Sequence, residues 1–259
     1  MSGTPEPILF VAGETSGDRH ASKVIAKLAE LAPGLDVYGV AGERMRAAGA
    51  EATFRAEDFA MVGLVEVLRH IPRMKRSMDH LVDLAVSRGT GLAVLVDYPG
   101  FNLSLAGRLR RAGVKVLYYI SPQVWAWGGW RVGKIASRVD RMAVAFPFER
   151  AFYRERGIDA EFVGHPILEE PDLADPPPAS GRRESLTLGL LPGSRGQEID
   201  RHLPHMLEAV AILKSELPGL VVKAARAEGI PESLLRGKEG FERLGIETVP
   251  PDGAHGLMR

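Results

Sequence analysis

An aspartate at the end of a buried apolar run is the point where this sequence most directly suggests chemistry. Residues 92–96 read Leu-Ala-Val-Leu-Val, and Asp97 is followed at once by Tyr-Pro-Gly-Phe-Asn, which ends a strand and leads into a helix. Open α/β sheets bind their ligands outside the carboxyl ends of the strands, so Asp97 stands where a rigidly held carboxylate can serve as a general base. Pro99 and Gly100 force the chain to turn. Asn102 is predicted to cap the following helix, whose apolar positions are Leu103, Leu105, Ala106 and Leu109, and Gly113 to close it.

A second candidate is Leu191-Pro-Gly-Ser-Arg-Gly, between another predicted strand and helix. There the N–H groups of Gly193 and Ser194 can face an anion with the helix dipole behind them, and Arg195 adds a planar cation suited to phosphate. The glycine spacing matches neither a Walker A loop nor a dinucleotide fingerprint, and a plain turn with a solvated arginine accounts for the same residues. Gly13-Glu-Thr-Ser-Gly-Asp takes the equivalent place after the first strand. With acidic Glu14 and Asp18 it suits substrate hydroxyls better than phosphate, although a simple helix cap by Ser16 or Asp18 also satisfies the pattern.

Ser121-Pro-Gln-Val-Trp-Ala-Trp-Gly-Gly-Trp gathers all three tryptophans directly after a strand. Trp125 and Trp127 either stack on a sugar or lipid headgroup or pack the base of the sheet. Met61, Val62, Leu64, Val65, Leu68 and Ile71 form a stretch that is apolar on more than one helical face, and Arg69, Arg73, Lys75 and Arg76 stand beside it. An apolar lip with adjacent cations suits an anionic membrane surface, and a core helix with a basic end fits the same residues. His202 and His205 lack a third ligand at recognisable spacing, so neither a metal site nor a cofactor is expected.

The elements that must position these groups alternate along the chain. Strands are predicted over 8–12, 36–40, 92–96, 114–120, 142–146 and 161–163, with helices between most of them, including 18–31, 131–138 and 148–156. That alternation implies an α/β fold with a parallel, doubly wound sheet over residues 1–165. Residues 166–185, rich in proline and acidic side chains, read as a linker. A second α/β pattern occupies 186–259, with a strand over 186–191, a helix over 198–216 and a strand over 220–223. Only 74 residues follow Ser185, against roughly 100 to 150 for a typical domain, so the second domain reads as partial and without a closing helix.

Composition narrows the partners. The 33 basic and 33 acidic side chains among 259 residues cancel, so no global field recruits nucleic acid. The absence of cysteine excludes a disulfide scaffold, a thiolate zinc site and a cysteine nucleophile. No apolar stretch approaches the roughly 20 residues of a membrane-spanning helix, and no signal-peptide pattern opens the chain. The expectation is a cytoplasmic protein.

Read in order, several segments together resemble the lipid-A-disaccharide synthase family, inverting glycosyltransferases of GT-B architecture. They are Ala12-Gly-Glu-Thr-Ser-Gly-Asp, Gly39-Val-Ala-Gly, Val62-Gly-Leu-Val-Glu-Val-Leu, Asp97 with Pro99, Phe101 and Asn102, Ser121-Pro-Gln-Val-Trp-Ala-Trp, Pro147-Phe-Glu, Phe162-Val-Gly-His-Pro and Leu191-Pro-Gly-Ser-Arg. The resemblance implies two Rossmann-like domains facing a cleft, an acceptor-binding first and a UDP-sugar-binding second. It implies transfer of 2,3-diacylglucosamine from its UDP derivative to 2,3-diacylglucosamine 1-phosphate, at the cytoplasmic face of the inner membrane of a Gram-negative-type bacterium, and it leaves a homodimer open. Asp97 would deprotonate the acceptor 6-hydroxyl, Arg195 with Gly193 and Ser194 would meet the diphosphate across the cleft, Glu14 and Ser16 would orient hydroxyls, and Asn102 would support the Asp97 loop. The family's Ser-Gly-Thr donor loop and returning C-terminal helix are not in residues 1–259, which suggests a truncated synthase. A fragment that only binds lipid A precursors, or another GT-B UDP-sugar enzyme, are the alternatives.

Overall fold

A computed structural model of the chain describes residues 5–59, 64–126, 128–169 and 186–257, with backbone alone at 64–71, 252, 255 and 256. Contacts divide the chain into two compact units, Met1–Pro166 and Ile167–Arg259.

In the first unit the apolar runs form β1 (Ile8–Ala12), β2 (Val37–Ala41), β4 (Leu92–Val96), β5 (Lys115–Tyr119), β6 (Arg141–Val144) and β7 (Ala160–Phe162). A further strand, β3 (Glu51–Arg55), was not anticipated, because its Glu-Ala-Thr-Phe-Arg sequence lacks an apolar run and its place at the sheet edge leaves it half-exposed. Among the described residues the sheet is seven-stranded in the order β3-β2-β1-β4-β5-β6-β7, and every neighbouring pair is parallel. Alternate side chains enter opposite cores. Leu9, Val11, Ala93, Leu95 and Tyr118 pack with Leu81 of α3 (Leu64–Ser87), Leu105 of α4 (Pro99–Arg111), Ile135 of α5 (Val132–Ala136) and Tyr153 of α6 (Pro147–Arg154). Phe10, Ala12, Val94 and Val96 pack with Ala21 and Ile25 of α1 (Thr15–Leu31) and Met45 of α2 (Glu43–Ala47). The sheet is therefore doubly wound.

Two capping expectations are corrected. Helix α1 begins at Thr15 with Glu14 at its N-cap and no side-chain cap, so neither Ser16 nor Asp18 plays that part. Asp18 is buried and instead accepts the backbone N–H groups of Arg44 (3.0 Å) and Met45 (3.1 Å), closing the otherwise unpaired start of α2. Asn102 does not cap α4 either. Pro99 occupies the first turn and Tyr98 the N-cap, because a proline with fixed φ and no N–H suits that position better than any later one. Asn102 consequently lies a turn inside the helix, fully buried. Gly113 does close α4, in the left-handed conformation at φ 86°.

The second unit has a three-stranded parallel sheet of order β10-β9-β8 among its described residues: β8 (Thr187–Leu190), β9 (Val221–Ala225) and β10 (Glu247–Val249). Ile199, Leu203, Leu207 and Val210 of α7 (Gly196–Glu216) face Leu190, Val222 and Ala224 at the four-residue and three-residue spacing of an amphipathic helix. Leu235 of α8 (Glu232–Arg236) completes that core with Phe241 and Ile246. A one-turn helix at Ala254–Leu257 follows, where no helix was expected. Of the predicted linker, residues 170–185 lie outside the described residues, and Pro166–Glu169 forms a 3-10 turn. Among the described residues no helix is long and apolar enough to cross a membrane.

Candidate active site

The strand order of the first unit reverses between β1 and β4, and the crevice outside the carboxyl ends of such a strand pair is where open parallel sheets bind ligands. Ala12 is in register with Val96, so the loops beginning at Gly13 and Asp97 leave the sheet side by side. Their contact is close. A Cβ built on Gly13 would stand 2.5 Å from the ring of Tyr98, a distance only glycine tolerates. Burial raises the Tyr98 phenol above its ordinary pKa, and the negative charge of half-buried Glu14 raises it further. Glu14 and the Asp97 turn thus share one small volume, while Ser16 is exposed on the first turn of α1.

Asp97 and Tyr98 both adopt left-handed backbone conformations, at φ 46° and 48°. Each such non-glycine residue costs about 1–3 kcal/mol unless its surroundings fix it. Here they do: Asp97 donates its N–H to the Tyr119 carbonyl (3.1 Å), and its own carbonyl accepts the Tyr118 hydroxyl (2.6 Å) and the Asn102 amide (2.8 Å). Asn102 also donates to the Val96 carbonyl (3.1 Å). The strand end is bent sharply and held there, with the Asp97 side chain half-buried at the turn.

The tryptophan loop is anchored from below by a residue that spacing did not single out. Glu149, 2% exposed, accepts the Ser121 hydroxyl (2.7 Å), the Trp125 indole N–H (3.0 Å) and the Phe146 backbone N–H (3.0 Å). Tyr153 donates to the Pro122 carbonyl (2.8 Å), and burial pushes its phenol up to about 12. Trp125 remains 38% exposed, edge-on to Phe148 at 4.9 Å, with Phe146 stacked on Phe148 at 5.8 Å. Trp125 is therefore presented at the surface rather than packed beneath the sheet. Trp127 lies outside the described residues. Replacing Glu149 by alanine strands three donors, at about 1–3 kcal/mol for a buried unsatisfied group. Thermal unfolding of Glu149→Ala is expected to drop by roughly 5 °C, with Trp emission shifted to the red. An unchanged melting temperature would show that the anchor is dispensable.

In the second unit Gly193 turns the chain at φ 129° between β8 and α7. Glu198 reaches back into this turn: its Oε2 accepts the N–H groups of Ser194 (2.9 Å) and Arg195 (3.2 Å), and its Oε1 meets the Arg195 guanidinium at 3.1 Å. The Ser194 N–H is the main influence holding the Glu198 carboxyl below its usual range. The donors of this loop, Ser194 and Arg195, hold an internal carboxylate oxygen, that of Glu198. This reciprocal contact does not show in the residue pattern, since Arg195 stands where a capping box normally has Ser or Thr.

Of the apolar stretch, Met61 and Val62 lie outside the described residues, as do the side chains of Leu64, Val65, Leu68 and Ile71, whose backbone forms the start of α3. Farther along α3, Met78, Leu81 and Ala85 are buried, whereas Arg73, Lys75 and Arg76 are exposed.

Comparison with known proteins gives the family of the chain. The family described as lipid-A-disaccharide synthetase matches residues 8–235, which span all of the first unit's sheet and the loops at Gly13, Asp97, Trp125 and Gly193. The chain belongs to that family. Among curated lipid-A-disaccharide synthases, that of Myxococcus xanthus is 42% identical over 256 residues, covering 96% of this chain and 66% of its own length. That of Nitrosococcus oceani is 45% identical over 268 residues, with coverage of 100% and 68%. For the Geobacter metallireducens synthase the figures are 44% over 223 residues, 82% and 57%. The chain therefore spans between about a half and two-thirds of the length of these synthases.

Solved structures agree on the fold. UDP-GlcNAc 2-epimerase from Neisseria meningitidis bound to UDP-GlcNAc superposes with a TM-score of 0.63 at 8% identity, over 97% of this chain and 74% of that one. A calicheamicin glycosyltransferase gives 0.51 at 16%, over 94% and 70%. At such identities the likeness is one of architecture, the GT-B α/β fold, and the synthetase family assignment rests on the sequence matches.

Proposed function

We propose that this chain carries the acceptor-side chemistry of an inverting glycosyltransferase that moves 2,3-diacylglucosamine from its UDP derivative to 2,3-diacylglucosamine 1-phosphate. The products are the β-1,6-linked disaccharide 1-phosphate and UDP. The observation that carries this reading is the position of Asp97, on a strained turn at the β1/β4 switch point beside the Gly13–Glu14 loop. In the reaction the Asp97 carboxylate takes the proton of the acceptor 6-hydroxyl as that oxygen attacks the anomeric carbon. The bond to the diphosphate breaks on the opposite face, and the configuration inverts. Glu14 and Ser16 orient acceptor hydroxyls, and Asn102 fixes the turn. Trp125 and Trp127 offer flat apolar faces to a sugar or headgroup.

Charge that develops on the leaving diphosphate is met by the Gly193–Arg195 loop, where the Glu198 carboxylate marks the place of an anionic oxygen and yields it to the donor. Met61, Val62, Leu64, Val65, Leu68 and Ile71 contact acyl chains, and the neighbouring cations favour an anionic membrane on its cytoplasmic face. The test is to incubate the full-length gene product containing residues 1–259 with both diacylated sugars. UDP release and disaccharide 1-phosphate, read by mass spectrometry, are expected in equal amounts. Folded protein that makes neither would overturn the reading.

A further inference from the structure

Tyr118 has no place in the reaction described above, yet it is one of the largest fully buried side chains of the first unit and sits one strand away from Asp97. Its hydroxyl spans from β5 to the Asp97 carbonyl at 2.6 Å, and Asn102 meets the same oxygen from α4 at 2.8 Å. Two donors from two elements converge on one carbonyl, at a pair of consecutive left-handed, non-glycine residues. Ile120, two residues beyond Tyr118, is also left-handed at φ 62°, an outlier for a β-branched side chain. The end of β5 is therefore shaped around the same turn. We propose that Tyr118 is a positioning residue: its hydroxyl, together with Asn102, clamps the Asp97 carbonyl so that the strained backbone holds the carboxylate at the reacting hydroxyl.

The physical argument has two parts. A left-handed Asp97 relaxes toward the extended region once its carbonyl is released, which swings the side chain by more than the fraction of an ångström that proton transfer tolerates. The clamp is also indifferent to pH in the working range, because burial first and the Asp97 charge second hold the Tyr118 phenol well above its ordinary value, so it remains a donor. This inference rests on the reading of Asp97 as the base.

The experiment compares three variants of the full-length protein. Tyr118→Phe removes only the hydroxyl. Tyr38→Phe removes the hydroxyl of another buried tyrosine, bonded to Thr90 at 2.6 Å near the amino-terminal end of the sheet, away from the switch-point loops. Asp97→Asn tests the base itself. The two tyrosine variants are expected to lose similar thermal stability, but kcat is expected to fall about 10-fold in Tyr118→Phe alone, with KM for both sugars within twofold of wild type. A kcat within twofold of wild type in Tyr118→Phe would overturn the proposal. So would equal kcat losses in the two tyrosine variants, or failure of Tyr118→Phe to fold while Tyr38→Phe folds, since either makes the hydroxyl purely structural. If Asp97→Asn remains fully active, the base assignment falls and the clamp with it. Loss in Asp97→Asn with none in Tyr118→Phe removes the clamp alone.

Discussion

Asp97→Asn is expected to lower kcat by about 10²- to 10⁴-fold, the range a positioned general base supplies, while leaving the fold and substrate KM nearly unchanged. The bonds that fix this turn run through the Asp97 backbone, to Tyr118, Asn102 and Tyr119, and asparagine keeps all of them. Asparagine also enters the left-handed region more readily than other residues with a Cβ, so the substitution adds little strain at φ 46°. What it removes is the capacity to take a proton. UDP release at saturating substrate, paired with a thermal melt, measures both halves, and near-normal turnover in a folded variant would refute the role. Alanine is the poorer probe, because it adds backbone strain to the chemical loss.

Arg195→Ala carries the second large effect. The side chain is 68% exposed and its ion pair with Glu198 is a surface one, so little stability depends on it. If the loop receives the diphosphate, removing this cation costs about 10²-fold in turnover, comparable with losing one donor from an anion-stabilising site. Lysine is expected to restore only part of that rate, since a point charge cannot reproduce the planar two-nitrogen geometry of a guanidinium. Full activity in Arg195→Ala would move phosphate recognition to other residues of the second unit.

Much of this architecture is legible in the sequence, for a simple reason. Five-residue apolar runs such as Ile8–Ala12 and Leu92–Val96, buried on both faces, leave no ambiguity about strand or core. Position at a strand end then suffices to nominate Asp97. Strand neighbours are a different matter. That β1 lies beside β4 rather than between β2 and β3 depends on a crossover some 80 residues long by the pairing of Ile8 with Leu92, and no local pattern encodes it. The left-handed pair Asp97–Tyr98 was equally hidden, since neither is glycine. The type of Asn102 suits a cap, and only the tertiary fold shows that its amide serves the Val96 and Asp97 carbonyls at the carboxyl end of β4. Glu149 appears in the sequence only within Pro147-Phe-Glu, and its anchoring role is hidden for the opposite reason: a glutamate at the start of a helix usually faces water, and its burial follows from the tryptophan loop folding over it.

The ring of Tyr98 lying over Gly13 has a consequence for how such a site can diverge. Positions 13 and 98 are not independent letters. While the tyrosine is present, any side chain at position 13 collides with it; once residue 98 becomes small, position 13 is released to vary. A side chain at position 13 therefore needs a smaller residue at 98 to make room for it, and the two sides of this crevice mouth can change only as a pair.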